Sequence, residues 1–433
     1  MRILIENIDI ITSDSENPII KNGMIYIEDD TIKFVCTEIP YMLEVDRLID
    51  GRGKVAMPGL INTHSHSPMT LLRNYAGDRA LEDWLFNYII PIEAHLEPED
   101  IYHGSMLAIC EMLKSGTTCF ADMYFMMDGI ARAVTETGIR ANIAIGPISH
   151  PSSGEEIVDE PATLDFIKRW NGRADGRITN FIEIHSVYLY KEENIRRAAA
   201  FALKHGLGIH MHLLETQYEM THTPEVCGVD SVELALRSGM FDVPNLAAHC
   251  VHMTDAQMDV LSTKHVSVAH NITSNLKLAS GIARVAEMQR RGINVSLGTD
   301  GAASNNNLNM FEEMHLAALI HNGTKCGEII RMATVNGAKA LGLEGVVGVI
   351  KPGFKADIIL LDLQKPHLQP INDLEADIVY SAQGSDVDTV IVNGEILMHN
   401  REFTAIDEKG IMERALRVSE RLFGEMQDGR LKG

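Results

Sequence analysis

Several features that define other protein classes are scarce or missing in this 433-residue sequence. Its six cysteines are scattered and form no Cys-x-x-Cys pair, which argues against a disulfide framework and a thiolate zinc site. No apolar run approaches the roughly 18 residues that a membrane span requires. Glu6 and Asp9 also interrupt what would be the apolar core of a signal peptide. We therefore expect a cytoplasmic protein with reduced cysteines.

Basic residues are scarce as well. The chain has 38 lysines and arginines against 60 aspartates and glutamates, a formal net charge of −22, and no Lys/Arg-rich run. Such a surface repels a phosphate backbone before specific contacts form, so neither nucleic acid nor a membrane is an expected partner. The glycine-rich stretches match neither GxxxxGK[ST] nor GxGxxG, so ATP and NAD are not expected as ligands.

The pattern of apolar residues changes near Val55 and again after Ala340. Between those points a short apolar strand is followed repeatedly by a helix, an alternation that is typical of βα units and a parallel sheet. The predicted strands are 57–63, 117–122, 140–146, 178–184, 207–213, 245–250, 265–270 and 293–298. Eight such units predict an α/β fold with a (β/α)8 TIM-type barrel.

Both ends of the chain instead show short alternating strands with tight turns, in residues 2–36 and again after the barrel. We expect these two segments to share one small β-sandwich. The predicted division is 1–55 for the first part of the sandwich, 56–345 for the catalytic barrel, and 346–433 for the rest of the sandwich and a terminal helix. Residues 150–161 are expected to form a loop over the barrel mouth.

Function in a parallel barrel resides at the carboxyl ends of the strands, where this sequence has histidines and acids. His64 and His66 are separated by one residue of an extended strand, so both imidazoles project to the same side. His212 and Asp300, at other strand ends, complete a set of three nitrogens and one carboxylate oxygen. This set predicts one divalent metal ion per chain, with zinc expected and iron, nickel or manganese as alternatives. A single ion is favoured because His185, rather than a lysine able to form a bridging carbamate, ends the fourth strand.

Two further side chains at the strand ends are candidates for catalysis. Glu215 follows His212 by three residues and is the predicted proton shuttle, although an acid there also suits the start of a helix. His249 ends the sixth strand and is expected to polarise the attacking water or the substrate, with a structural core histidine as the alternative. The predicted catalytic residues are therefore Glu215, His249 and Asp300.

The strand-end motifs resemble those of a known family. They read PGLINTHSHSPMTLLRN, HLLE, AAHCVH, HNITSNLKLASG and LGTDGAASNNNLNMFEEM. They are similar to the metal-binding motifs of the amidohydrolase superfamily. Within it they look most like those of the 5′-methylthioadenosine/S-adenosylhomocysteine deaminases and their chlorohydrolase-like neighbours. The resemblance covers almost the whole chain, since VGVIKPGFKADIILLDL is similar to the family's return to the β-sandwich.

The resemblance implies a role for each matching residue. The implied metal ligands are His64, His66, His212 and Asp300. Glu215 would move a proton to a ring nitrogen of the substrate. The implied substrate-binding residues are Trp84, which would pack against the nucleoside, Glu93, which would bind its ribose hydroxyls, and His185 together with Glu215.

The resemblance also implies the reaction, which is hydrolytic removal of the 6-amino group of an adenosine derivative as ammonia. The implied substrates are 5′-methylthioadenosine, 5′-deoxyadenosine and adenosine. No cation lies between Arg140 and Lys168, so we expect weaker action on S-adenosylhomocysteine, whose carboxylate would meet the acids of 155–160. An aminohydrolase of guanine, a pteridine or a triazine, a cyclic amidohydrolase, and a metal-binding scaffold without turnover stay open as alternatives. We expect a small nucleoside as partner and a homo-oligomer in solution.

Overall fold

Two sheets organise the computed structural model, which describes residues 1–38, 43–77, 79, 81–150, 153 and 155–427. The strands among these residues are β1 Arg2–Ile11, β2 Ile19–Glu28, β3 Thr31–Cys36, β4 Arg47–Asp50, β5 Lys54–Pro58, β6 Leu60–Ser65, β7 Thr117–Met123, β8 Arg140–Ala144, β9 Ile178–Ser186, β10 Gly208–Leu213, β11 Asn245–His249, β12 Ser267–His270, β13 Val295–Leu297, β14 Ile358–Asp362, β15 Val387–Val392, β16 Glu395–His399 and β17 Glu402–Phe403. Strands β6 to β13 form one sheet, and the remaining strands form the other.

The α-helices lie mainly between the strands of the first sheet. They are α1 Leu81–Trp84, α2 Ile90–Glu93, α3 Pro98–Lys114, α4 Asp128–Thr137, α5 Glu160–Trp170, α6 Arg173–Gly176, α7 Glu192–His205, α8 Gln217–Cys227, α9 Ser231–Arg237, α10 Asp255–Thr263, α11 Ile272–Lys277, α12 Val285–Arg290, α13 Met310–Ile320, α14 Cys326–Met332, α15 Val335–Ala340, α16 Leu374–Ala376 and α17 Glu408–Gln427. Among the described residues, no helix is long and apolar enough to cross a membrane.

The eight-stranded sheet is the predicted (β/α)8 barrel. Its strands follow one another in sequence order, and each neighbouring pair from β6 to β13 is parallel. Their interior residues are almost entirely buried, as expected for strands that are covered by helices on one side and by the barrel core on the other. The fold class expected from the alternation of strands and helices is therefore confirmed.

One predicted strand is in fact two. The stretch 57–63 breaks at Gly59, so that β5 belongs to the outer sheet and β6 begins the barrel. A side chain at Gly59 would not fit, because its Cβ would lie 2.0 Å from Thr118 Oγ1. A continuous apolar run hides such a change of sheet, since strands in both sheets are buried here. Strand β5 also continues across the expected division at 55/56.

The barrel joins its first and last strands without a sheet ladder among the described residues. Thr63 Oγ1 instead donates a hydrogen bond to Leu297 O at 2.8 Å, and the Asp300 backbone N–H donates to His64 O at 2.9 Å. Gly298 permits this close approach, because a Cβ at that position would lie 2.8 Å from the backbone nitrogen of His64. The edge where the barrel closes thus brings Asp300 beside His64.

The outer sheet contains strands from both ends of the chain, as expected for the shared β module. Its central strand β5 pairs in parallel with β1 and antiparallel with β14, so nine strands form one hydrogen-bonded sheet. Alternate residues of these strands form a separate core that is rich in isoleucine, including Ile3, Ile5, Ile25 and Ile358. This alternation matches the period of two that predicted the strands.

A buried ion pair connects the barrel to the outer sheet. Arg140 on β8 donates to both carboxylate oxygens of Asp357, at 2.8 and 3.0 Å, and the two side chains are only 3% and 2% exposed. The Asn393 backbone N–H donates to Asp357 as well, at 2.8 Å. The bidentate geometry and the additional donor offset the desolvation of both charges.

We predict that Asp357→Ala lowers the free energy of unfolding by about 3–5 kcal/mol, because it leaves a buried guanidinium without its partner. Asp357→Asn keeps the shape and one acceptor oxygen and should cost clearly less. Urea unfolding of both variants, followed by circular dichroism, measures the difference. A loss below about 1 kcal/mol for the alanine variant would contradict a structural role for this pair.

Candidate metal centre and active site

The four predicted metal ligands meet at the mouth of the barrel. His64 and His66 come from the end of β6, His212 from β10, and Asp300 from the turn after β13. His66 Nε2 lies 3.2 Å from Asp300 Oδ1 and 3.3 Å from His212 Nε2, and His64 Nε2 lies 3.5 Å from the same Asp300 oxygen. Ligand atoms of His64, His66 and His212 all lie within 4.8 Å of one another.

Hydrogen bonds on the outer nitrogens turn the imidazoles inward. His66 Nδ1 donates to Met123 O at 2.5 Å, and His212 Nδ1 donates to His185 O at 2.9 Å. A backbone acceptor at Nδ1 fixes the tautomer in which Nε2 keeps its lone pair, as is usual for histidines that bind metals. The backbone geometry of β7 and β9 therefore orients ligands carried by β6 and β10.

The third imidazole is oriented by another histidine. His64 Nδ1 lies 2.9 Å from His210 Nε2, and both side chains are completely buried. Burial lowers the pKa of His210 well below its usual value, so its ring is neutral. A neutral His210 can accept from Nδ1 of His64, which leaves Nε2 of His64 with its lone pair. His210 thus contacts a predicted ligand directly.

The cluster has the properties of a cation site. Among the described residues, the buried Nε2 atoms of His64 and His249 have no hydrogen-bond partner. Burial lowers the pKa of His64 to about 4, which keeps its ring neutral. Burial alone would raise the pKa of Asp300, but its close contacts with His64 and His66 hold it well below its usual value. Burial alone would lower the pKa of His66, but its contact with Asp300 raises it to about 9. A set of imidazoles around an ionised carboxylate suits a divalent transition-metal ion.

The two other predicted catalytic residues lie beside this cluster. His249 Nε2 is 3.6 Å from Glu215 Oε2, and ligand atoms of His249, His64 and Asp300 also lie within 4.8 Å of one another. Glu215 is only 8% exposed, and burial raises the pKa of its carboxyl. An acid with a raised pKa is suited to carry a proton at neutral pH.

The backbone is strained at the carboxyl ends of the strands that carry these side chains. His249 and Asp300 have φ values of 72° and 64°, and Leu214, just before Glu215, has a φ of 51°. Such left-handed conformations cost non-glycine residues about 1–3 kcal/mol each and cluster at functional sites. Cys250 N donates to Leu213 O at 3.0 Å and helps to hold the turn after β11.

A cavity that is partly open to solvent lies over the cluster. The three predicted substrate-binding residues Trp84, Glu93 and His185 all line it, together with Glu215 and His249. Its apolar wall comes from the side chains of Met69, Leu81, Leu85, Ile90, Leu189 and Leu278. None of the described side chains that line it is a lysine or an arginine.

Glu93 is poised as a hydrogen-bonding group in this cavity. Tyr124 Oη donates to Glu93 Oε1 at 2.7 Å, and burial raises the pKa of Glu93 to about 7. The second carboxyl oxygen has no protein hydrogen bond in the described part of the chain, so it is available to a ligand. Trp84, on α1, is buried beside it.

Contrary to expectation, the acids of the loop after β8 do not line the cavity. Glu156 accepts hydrogen bonds from Lys191 N and Asn194 Nδ2, Asp159 caps α5, and Glu160 pairs with Arg197. Residues 151, 152 and 154 of this predicted loop lie outside the described residues. A negatively charged 5′ substituent on the substrate is therefore disfavoured by the lack of a lysine or arginine in the described cavity lining, and not by these acids.

Several residues at the site were not identified from the sequence. Tyr124 and His150 line the cavity, while Ser274, Asn275 and Ser280 contact catalytic side chains. The last three lie in HNITSNLKLASG, a motif that was singled out only as part of the family resemblance. His150 follows a predicted strand at some distance and carries no spacing signal.

A (β/α)8 barrel with this cluster at its mouth defines a class, that of the metal-dependent hydrolases built on such barrels. Within that class, the chain belongs to the amidohydrolase family, whose profile matches residues 55–397. Amidohydrolases are metal-dependent hydrolytic enzymes, in agreement with the chemistry of the cluster.

Individual relatives are similar over nearly their whole length. The chain is 50% identical over 431 residues to 5-methylthioadenosine/S-adenosylhomocysteine deaminase of Acetivibrio thermocellus, covering 98% of this chain and 100% of that one. It is 45% identical to 5′-deoxyadenosine deaminase of Methanosarcina barkeri, covering 97% and 98%. Among solved structures, an adenosine deaminase from Xanthomonas campestris with bound zinc aligns with a TM-score of 0.91 at 29% identity over 98% of each chain.

We predict that His212→Asn reduces the metal content to a small fraction of the wild-type value, because it removes one of the convergent imidazole ligands. Elemental analysis of the purified protein measures the content. His270→Asn is the matched control, because His270, at the end of β12, is also buried but contacts His321 instead, at 2.9 Å. Full metal content in the His212 variant would contradict its role as a ligand.

Proposed function

We propose that this protein hydrolyses the 6-amino group of adenosine derivatives to give the inosine analogue and ammonia. The proposal rests on one observation: Glu215, His249 and the predicted metal ligands line the same cavity as Trp84 and Glu93. A proton donor and a metal centre are thus placed in one pocket that also offers an aromatic wall and a carboxyl group. The relatives named as deaminases support this reaction.

The metal ion would be held by His64, His66, His212 and Asp300. A divalent ion there supplies Lewis acidity, which makes water a nucleophile near neutral pH. We propose zinc, because the nitrogen-rich set suits it and the structure from Xanthomonas campestris contains it. The cytoplasmic location, the homo-oligomer and the division at 55/56 and 345/346 stay predictions.

The protons are carried by side chains of this protein. Glu215, whose pKa is raised by burial, gives its proton to N1 of the adenine and makes C6 electrophilic. The oxygen of water bonds to C6, and the first proton of that water restores Glu215. Asp300 accepts the second proton and passes it to the amino nitrogen, while His249 orients the nucleophile. The C6–N bond then breaks and ammonia leaves.

The rest of the cavity fits a nucleoside. Trp84 offers a flat apolar surface for the base or sugar, and the free oxygen of Glu93 can accept hydrogen bonds from ribose hydroxyls. His185, whose backbone carbonyl orients His212, presents its ring to the same space. Because desolvation lowers the pKa of His185 well below its usual value, this ring acts as a neutral hydrogen-bonding group.

The 5′ substituent that we propose is uncharged. The described lining of the cavity contains no cation to pair with a carboxylate and has an apolar wall. Burying an unpaired carboxylate is unfavourable, whereas a methylthio group or a hydrogen atom is readily accommodated.

We predict that Glu215→Gln retains its metal and loses roughly 10²–10⁴-fold in kcat, because the amide cannot deliver a proton to N1. Loss of adenine absorbance gives the rate, and elemental analysis gives the metal content. Glu219→Gln is a matched control: Glu219 is also buried, lies four residues further along the chain, and accepts the Glu215 backbone N–H at 3.3 Å. A Glu215 variant with a near-normal rate would remove this residue from the proton path.

We predict that kcat/KM for 5′-methylthioadenosine and 5′-deoxyadenosine exceeds that for S-adenosylhomocysteine at least about tenfold, the effect of one poorly solvated charge. The assay compares these substrates and adenosine with zinc-loaded protein. Equal rates with S-adenosylhomocysteine would contradict the argument from the missing cation. No ammonia from any of the four would contradict the proposed reaction.

A further inference from the structure

One short segment lies beside all three catalytic side chains. Residues 271–281, here called the α11 segment, follow β12 and contain helix α11. Ser274 and Asn275 are completely buried, and Ser280 is nearly so. The reaction proposed above uses none of these side chains, yet buried polar groups are costly unless they are hydrogen-bonded.

Three polar side chains of the α11 segment each contact a different catalytic residue. Ser274 Oγ donates to Asp300 Oδ2 at 2.6 Å, and Ser280 Oγ donates to Glu215 Oε1 at 3.2 Å. Asn275 Oδ1 lies 2.8 Å from His249 Nδ1. These catalytic residues come from three different strand ends, so the segment contacts all three and fixes their positions relative to one another.

The α11 segment is itself fixed to the surrounding barrel. His252 Nε2 donates to Ser280 O at 2.8 Å, and Lys277 Nζ donates to Ala303 O at 2.9 Å in the loop that follows Asp300. The Thr273 backbone N–H also donates to the buried Glu313, at 3.3 Å. A segment held at both ends can orient its partners within the small tolerance that catalysis requires.

The contact with His249 has a specific chemical consequence. Asn275 presents a carbonyl oxygen to Nδ1, and an oxygen can only accept, so in the neutral form of the ring the single proton resides on Nδ1. Nε2 then has a free lone pair. This atom faces Glu215 and the predicted metal ligands His64 and Asp300. Asn271 Nδ2 is a competing donor, but it lies farther from Nδ1, at 3.4 Å.

We propose that Asn275 is the positioning residue that holds His249 in the Nδ1–H tautomer. Ser274 and Ser280 position Asp300 and Glu215 from the same segment. His249 thereby presents an acceptor, rather than an N–H donor, to the nucleophile. The consequence for turnover rests on the proposed function, whereas the tautomer itself does not.

The first test reads the tautomer directly in zinc-loaded protein. Long-range ¹H–¹⁵N NMR spectra of histidine-labelled protein distinguish a protonated Nδ1 from a protonated Nε2, and the His249 signals are assigned by their loss in His249→Asn. We expect a protonated Nδ1 in the wild type. A protonated Nε2 would overturn the proposal and identify Asn271 as the donor to Nδ1.

Variants extend the test to function. Asn275→Leu, which removes the acceptor at nearly constant volume, should mix or reverse the tautomer and lower kcat by roughly 10–100-fold, with metal content and KM little changed. Asn275→Asp restores an acceptor and should keep the Nδ1–H tautomer and recover most of kcat. Asn271→Leu should leave the tautomer unchanged. A wild-type tautomer in Asn275→Leu would overturn the proposal.

The two measurements separate this inference from the proposed function. If the wild type deaminates none of the nucleosides but shows Nδ1–H at His249, the proposed reaction fails and the tautomer assignment stands. If deamination is found and Asn275→Leu loses kcat with an unchanged tautomer, the positioning role is overturned. Circular dichroism and metal content verify that each variant is folded and loaded.

Discussion

The site depends on one constraint: several imidazole side chains and a carboxylate are held close together in a buried position. His64 and His212 stay neutral because they are buried, and Asp300 stays ionised because His64 and His66 contact it. Lone pairs that face one another without a proton or a cation between them are unfavourable. A bound divalent ion removes that cost, so the same packing that closes the barrel mouth also creates its affinity for metal.

The cluster lies at the edge where the first and last strands of the barrel meet. His64 and His66 lie on the first strand and Asp300 follows the last, so the proposed ligands stand on both sides of the edge where β6 and β13 meet without a ladder. Backbone and side-chain hydrogen bonds already join this edge. Ligands placed across it couple the binding of the ion to the closure of the barrel.

Much of the fold and part of the site follow from local patterns. The eight strands were predictable because each is a short apolar run before a helix, and the spacing of His64 and His66 predicts two side chains on one face. The break at Gly59 was not predictable, because it depends on which sheet each half joins. The contacts of Ser274, Asn275 and Ser280 also escaped prediction, since they link elements that are distant in sequence and leave no periodic signal.

The outer sheet has a consequence for how the protein is made. Its central strand β5 has β1 on one side and β14 on the other, with Met57 opposite Ile359. During synthesis the first strands therefore leave the ribosome long before their last partners, and one edge of β5 stays open while the whole barrel is translated. Open edges of this kind invite wrong pairing. The outer sheet is therefore completed only after β14 has been synthesised, and an open strand edge persists during translation of the entire barrel.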